Sequence, residues 1–138
     1  MLTRKELLGR VGAGAAVLFV GPLCAEKEPD HSGNPLAVAA AESARVGQEC
    51  LTHCIQLLSK GDQSLADCAT TVRDMITACT ALEGFAAANS KHLRAYLPVC
   101  RSVCEECHKA CLKHAEHHAI CKQCADACKA CLDAMAAA

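Results

Sequence analysis

Cys100, Cys104, Cys107 and Cys111 follow one another at steps of four, three and four residues, and Cys121, Cys124, Cys128 and Cys131 at steps of three, four and three. Cys50 and Cys54 repeat the four-residue step, and between Cys68 and Cys79 the helical intervals fall on Val72 and Met75. Such spacing gathers the thiols of each run on one helix face, the face that turns toward a bundle core. Every cysteine after position 25 fits one of these four stripes. A thiol in that setting can pair with another thiol, hold a metal as thiolate, or act as a nucleophile when its pKa is low.

Disulfides suit the spacing poorly, because side chains three or four residues apart on one helix run nearly parallel and strain the bond geometry. Cross-helix pairs keep a disulfide-stapled bundle open as an alternative. Zinc is the other alternative, since Cys104/Cys107, Cys121/Cys124 and Cys128/Cys131 each make a CxxC. Four thiolates around one Zn²⁺ leave a charge of about −2, and no Lys or Arg falls on the core positions to offset it. Iron–sulfur ligation expects loop-borne runs that the third stripe does not match. A thiol–disulfide enzyme needs one distinctive dithiol at a helix start; Cys121-Lys122-Gln123-Cys124 comes nearest but has too many equivalents. Glu105 and His108 form a single Glu-x-x-His pair beside the stripe, where a di-iron bundle needs two. Cu(I) answers the charge problem: it is soft, prefers thiolate and is monovalent. One ion per cysteine replaces one thiol proton and leaves the core near neutral, so binding should weaken in acid.

The punctuation around the stripes predicts four helices. Asn34-Pro35 is a start signal, with asparagine as N-cap and proline at the first helical position, and Gly61 stops the first helix near Lys60. Asp62 or Ser64 opens a second helix that ends at Asn89. A third, kinked at Pro98 or starting near Leu97, runs to about His117. A fourth runs from His118 or Ala119 to about Met135. Short links and long helices make residues 35–138 an all-α, antiparallel up-down-up-down four-helix bundle with a cysteine-lined core. Counting down from the turns near 61 and 118 stacks Cys54, Cys68, Cys111 and Cys124 at one height. Below them come Cys50, Val72, Cys107 and Cys128, then Gly47, Met75, Cys104 and Cys131, then Ser43, Cys79, Cys100 and Met135. The expectation is a column of sulfur, thinned at Val72 and Gly47. His114 and His118 continue the third stripe toward the turn as candidate exchangeable ligands at a metal entrance, and His53, next to Cys54, reads as a mouth ligand or a boundary residue, with the boundary reading favoured. Met75 and Met135 occupy core positions as candidate thioether ligands.

A net charge of −1 gives no basic surplus for nucleic acid, and only Phe19, Phe85 and Tyr96 are aromatic, so thiols and alanines must fill much of the interior. Residues 1–25 have the order of a cleavable export signal, with Arg4, Lys5 and Arg10 ahead of an apolar run from Val11 to Val20. Thr3-Arg4-Lys5-Glu6-Leu7-Leu8 resembles a twin-arginine motif with lysine in the second place. Residues 26–34 form a polar linker. The expected location is the periplasm, with no membrane association after signal removal.

The stretch from His114 to Met135, together with Cys100-Arg-Ser-Val-Cys-Glu-Glu-Cys-His-Lys-Ala-Cys, resembles the bacterial copper storage proteins, in particular their exported branch. The resemblance implies a homotetramer of four-helix bundles, each storing many Cu(I) ions, with His and Met near the open end and no enzymatic activity. Its trading partners would be copper chaperones or copper enzymes.

Overall fold

The computed structural model describes residues 33–138; the expected export signal over 1–25, and the linker as far as residue 32, lie outside the described residues. Four helices follow: α1 (Pro35–Ser59), α2 (Ala66–Ala87), α3 (Leu93–Leu112) and α4 (Ala119–Ala136). Each backbone packs against two others, α1 on α2 and α4, α3 on α2 and α4, and the diagonal helices meet only through core side chains such as Cys50 with Cys111. With links of a few residues, this ring is the up-down-up-down bundle that the sequence predicts.

The helix ends are where local chemistry decides. Asn34 has extended backbone, φ −129° and ψ 102°, and its Oδ1 accepts from the Leu36 and Ala37 amides at 3.1 and 3.2 Å. Its Nδ2 donates to the Ala86 carbonyl at 2.8 Å, tying the start of α1 to the end of α2. Gly61 takes a φ of 82°, so that Asp62 N–H can reach back to the Leu57 carbonyl at 3.0 Å. Asn89 does the same after α2 with φ 47°, and Ser90 N–H bonds to Phe85 at 2.9 Å.

Three helix ends differ from the sequence reading. Asp62 spends its carboxylate on the Ser64 amide (2.9 Å) within the turn, so α2 starts only at Ala66, after the fully buried Leu65, with no side-chain cap. Helix α3 starts at Leu93, one and a half turns before Pro98, and ends at Leu112 rather than His117. Proline removes only the bond to the residue four before it, here Arg94, and both residues sit on an exposed face. Leu93, Tyr96 and Leu97 pack against the core and hold that first turn in place.

The interior changes character along its length. Leu36, Ala37, Ala40, Leu82, Ala86 and Met135 fill the end near residues 34 and 88; thiols line the rest. Among the described residues Ser43 is the one buried polar side chain outside the cysteines, and it donates to the Ala127 carbonyl at 3.0 Å. No helix among the described residues is long and apolar enough to cross a membrane.

Candidate metal centre

All twelve cysteines of the bundle are fully buried and carry free thiols. Their helical spacing explains the placement: α1 and α2 contribute two each, α3 and α4 four each, and every one turns inward. Four trios have sulfurs within 4.8 Å of one another: Cys50/Cys54/Cys68, Cys50/Cys111/Cys124, Cys107/Cys124/Cys128 and Cys79/Cys104/Cys131. Interhelix contacts close the gaps, with Cys68 Sγ 3.3 Å from Cys111 Sγ and 3.9 Å from Cys50 Sγ, and Cys79 Sγ 3.6 Å from Cys104 Sγ.

Thiols this close hydrogen-bond to one another, and each neighbourhood has its acceptors. Hydrogen bonds from Cys111 and then Cys50 pull the Cys68 thiol down to about 3. Those from Cys107, Cys111 and Cys128 lower Cys124. Farther along, hydrogen bonds from Cys104 and then Cys79 take Cys100 to about 5 and Cys131 to about 4. Donation raises the partners: Cys111 chiefly through Cys107, and Cys79 and Cys104 chiefly through Cys100. At the edge of the cluster, burial pushes Cys54 and Cys121 up to about 12. A soft cation arriving here meets sulfur donors with no competing lysine or arginine, and each ion taken up can release one proton.

The turns after α1 and α3 form the polar end. His53 Nε2 and His118 Nδ1 lie 3.0 Å apart, the rings tilted at 60°. His114 Nε2 bonds to Asp67 Oδ1 at 3.1 Å, and Lys113 Nζ stands 3.6 Å from the same carboxylate. His117 is exposed. The structure thus joins His118 to His53, for which the sequence favours a boundary residue over a mouth ligand, and turns His114 toward Asp67. The adjacency of His53 to Cys54 is the sequence signal for the mouth reading: a residue next to a core thiol at a helix end stands at the rim. Met75 is fully buried and Met135 nearly so. His108 uses Nδ1 on the Ala125 carbonyl at 2.8 Å, clamping α3 to α4, while Glu105 is exposed.

A helical bundle lined on all four helices by unpaired thiols is a store for soft metal ions. The family model described as Csp, copper storage protein, matches residues 30–138, and the chain belongs to that family. No curated protein matches it. Its thiol groups are accordingly sites for several Cu(I) ions per chain, held in storage rather than turned over by an enzyme.

Proposed function

We propose that Cys50, Cys54, Cys68, Cys79, Cys100, Cys104, Cys107, Cys111, Cys121, Cys124, Cys128 and Cys131 all ligate Cu(I). The observation that carries this is the burial of every one of these thiols with no cationic side chain among them. Divalent zinc in the same places leaves uncompensated negative charge in a low-dielectric core, whereas one Cu(I) per thiolate leaves none. Met75 and Met135 supply thioethers to the same interior. Copper enters at the turns through His118 with His53; His114 joins them by releasing Asp67. The chain is exported by residues 1–25, acts in the periplasm as a homotetramer without membrane attachment, and exchanges copper with chaperones or copper enzymes. These last points rest on the signal-like order of the N-terminus and on the family. Anaerobic titration of the reduced protein with Cu(I) against a competing chelator tests the core of the reading. Tight uptake of about one ion per thiol is expected. Saturation at two or three ions, or preference for Zn²⁺, overturns it.

A further inference from the structure

The four metal-competent trios are not all linked through shared thiols. Cys50 and Cys124 link three of the four metal-competent trios into a network that takes in Cys54, Cys68, Cys107, Cys111 and Cys128, with Cys121 interacting at its rim. The fourth trio, Cys79/Cys104/Cys131, shares no thiol with that network and gathers in only Cys100. The close sulfur–sulfur contacts divide the same way: Cys68 with Cys50 and Cys111, and Cys107 with Cys111, on one side; Cys79 with Cys104 on the other.

On α3 and α4 the two groups stay three residues apart, at Cys104/Cys107 and Cys128/Cys131, so the interruption lies on α2 and α1. The α2 positions between Cys68 and Cys79 that face the core hold Val72 and Met75, both fully buried. Opposite them α1 has Gly47, where a Cβ would stand 2.7 Å from Met75 Cε and 2.8 Å from Ile76 Cγ1. The Met75 methyl therefore packs against the neighbouring helix α1 in the space a larger residue at 47 would fill. Beyond the four-thiol group the bundle is sealed. Leu82, Ala86, Ala37 and Met135 are buried there, the Asn34–Ala86 bond ties α1 to α2, and the Tyr96 hydroxyl donates to the Ala78 carbonyl at 2.8 Å with Phe85 edge-on to its ring.

We propose that the core is two copper compartments in series, an eight-thiol chamber beneath the histidine turns and a four-thiol chamber behind it, with the Met75 thioether as the ligand that passes Cu(I) between them. This rests on the reading that the thiols store Cu(I). Valine offers a metal no lone pair; the thioether does, and it is soft. Being neutral, it leaves a bound Cu(I) with its charge uncompensated, which suits transit rather than residence. The handover needs no redox partner. Cu(I) leaves a thiolate of the outer chamber, which regains a proton, and binds a thiol of the inner chamber, which gives one up.

The test is anaerobic stopped-flow loading of the reduced full chain with a Cu(I) complex, followed by thiolate-to-copper charge-transfer absorbance. Two phases are expected, with amplitudes in the ratio of the two thiol groups. Met75→Leu, which keeps the volume nearly unchanged, should slow the second phase on the order of tenfold or more and leave the first phase and the final capacity as they are. Tyr96→Phe, which removes a hydrogen bond at the sealed end and touches no proposed ligand, should alter neither phase. Cys104→Ala should cut the slow amplitude and spare the fast one; a fall in both makes the chambers one. Loading in a single phase, or a slow phase indifferent to Met75→Leu, overturns the partition or the crossing while leaving storage intact. A reduced chain that takes up no Cu(I) overturns storage and this inference together.

Discussion

At the turns 60–65 and 113–118 the bundle presents His53 paired with His118, and His114 and Lys113 both facing Asp67. At the opposite end the contacts are neutral: an asparagine amide on Ala86, a tyrosine hydroxyl on Ala78, and alanine, leucine and methionine side chains packed behind them. Both ends close the same four helices, yet one does so with titratable groups that bind metals and protons and the other with neutral groups, among which only the Met135 thioether can meet a metal. The difference gives the store a direction. Cargo can be met by ligands at one end, and the other end carries the mechanical task of holding the helices in register.

Copper itself should sharpen that contrast most. The outer thiol chamber draws on all four helices, whereas the inner one has ligands from α2, α3 and α4 only. A ligand present at a thousand times its dissociation constant stabilises the folded state by about 4 kcal/mol per site, and several ions act together here. The loaded chain should therefore melt far above the reduced metal-free chain, by calorimetry, with a chelator reversing the shift. Amide exchange should show the smallest copper-induced protection in the first half of α1, residues 35–47, which carries no cysteine. Uniform protection along α1 would break the two-chamber comparison.

Alkali should act next most strongly, and through the outer edge. Burial holds the Cys54 and Cys121 thiols up to about 12, against an ordinary value of about 8.5. Below the ordinary value both folded and unfolded chains keep these protons, and no stability is lost. As pH rises between the two values the unfolded chain gives them up and the folded chain does not, so folding weakens. The metal-free chain should lose stability steadily across that window in denaturant titrations. The copper-loaded chain, whose thiols have already surrendered their protons, should change much less.

Asn34 ranks below these. Replacing it with alanine removes an N-cap contact to two amides and the amide link to Ala86, and N-cap losses typically cost about 1–2 kcal/mol. Because the residue serves only the sealed end, copper capacity and loading rate should stay at their original values while the denaturation midpoint falls. A loss of capacity would mean that this end takes part in storage after all.

Much of this was readable in advance because the relevant signals are periodic. A thiol every three or four residues leaves one choice of face, and short links leave little freedom of register, so Cys68 stands beside Cys111 as the layer count expects, whereas Cys79, counted one layer below Cys104, lies against it at 3.6 Å. What escaped was set by pairs of residues far apart in sequence. Val72 and Gly47 read as gaps in a sulfur column, but whether a gap stays open depends on how a flexible methionine turns, and Met75 turns toward the missing Cβ of Gly47. His53 looked peripheral because its partner lies 65 positions away. Pro98 was weighed as a helix boundary on local grounds, while the packing of Leu93 and Tyr96 extended α3 past it.

The smallest effect on folding falls at the histidine end, and the comparison turns on it. His53 and His118 share one hydrogen bond at a partly exposed rim, so changing both to alanine should cost no more than about 1 kcal/mol, the usual worth of such a bond. Tyr96→Phe removes one hydrogen bond from the sealed end and should cost a similar amount. If the ends differ only in composition, the two variants should load Cu(I) alike. If the histidine end admits the cargo, the double alanine variant should fill slowly to its full capacity and Tyr96→Phe should fill at the original rate. Stopped-flow loading at matched copper and protein concentrations separates the two, and equal rates would remove the histidines from the path.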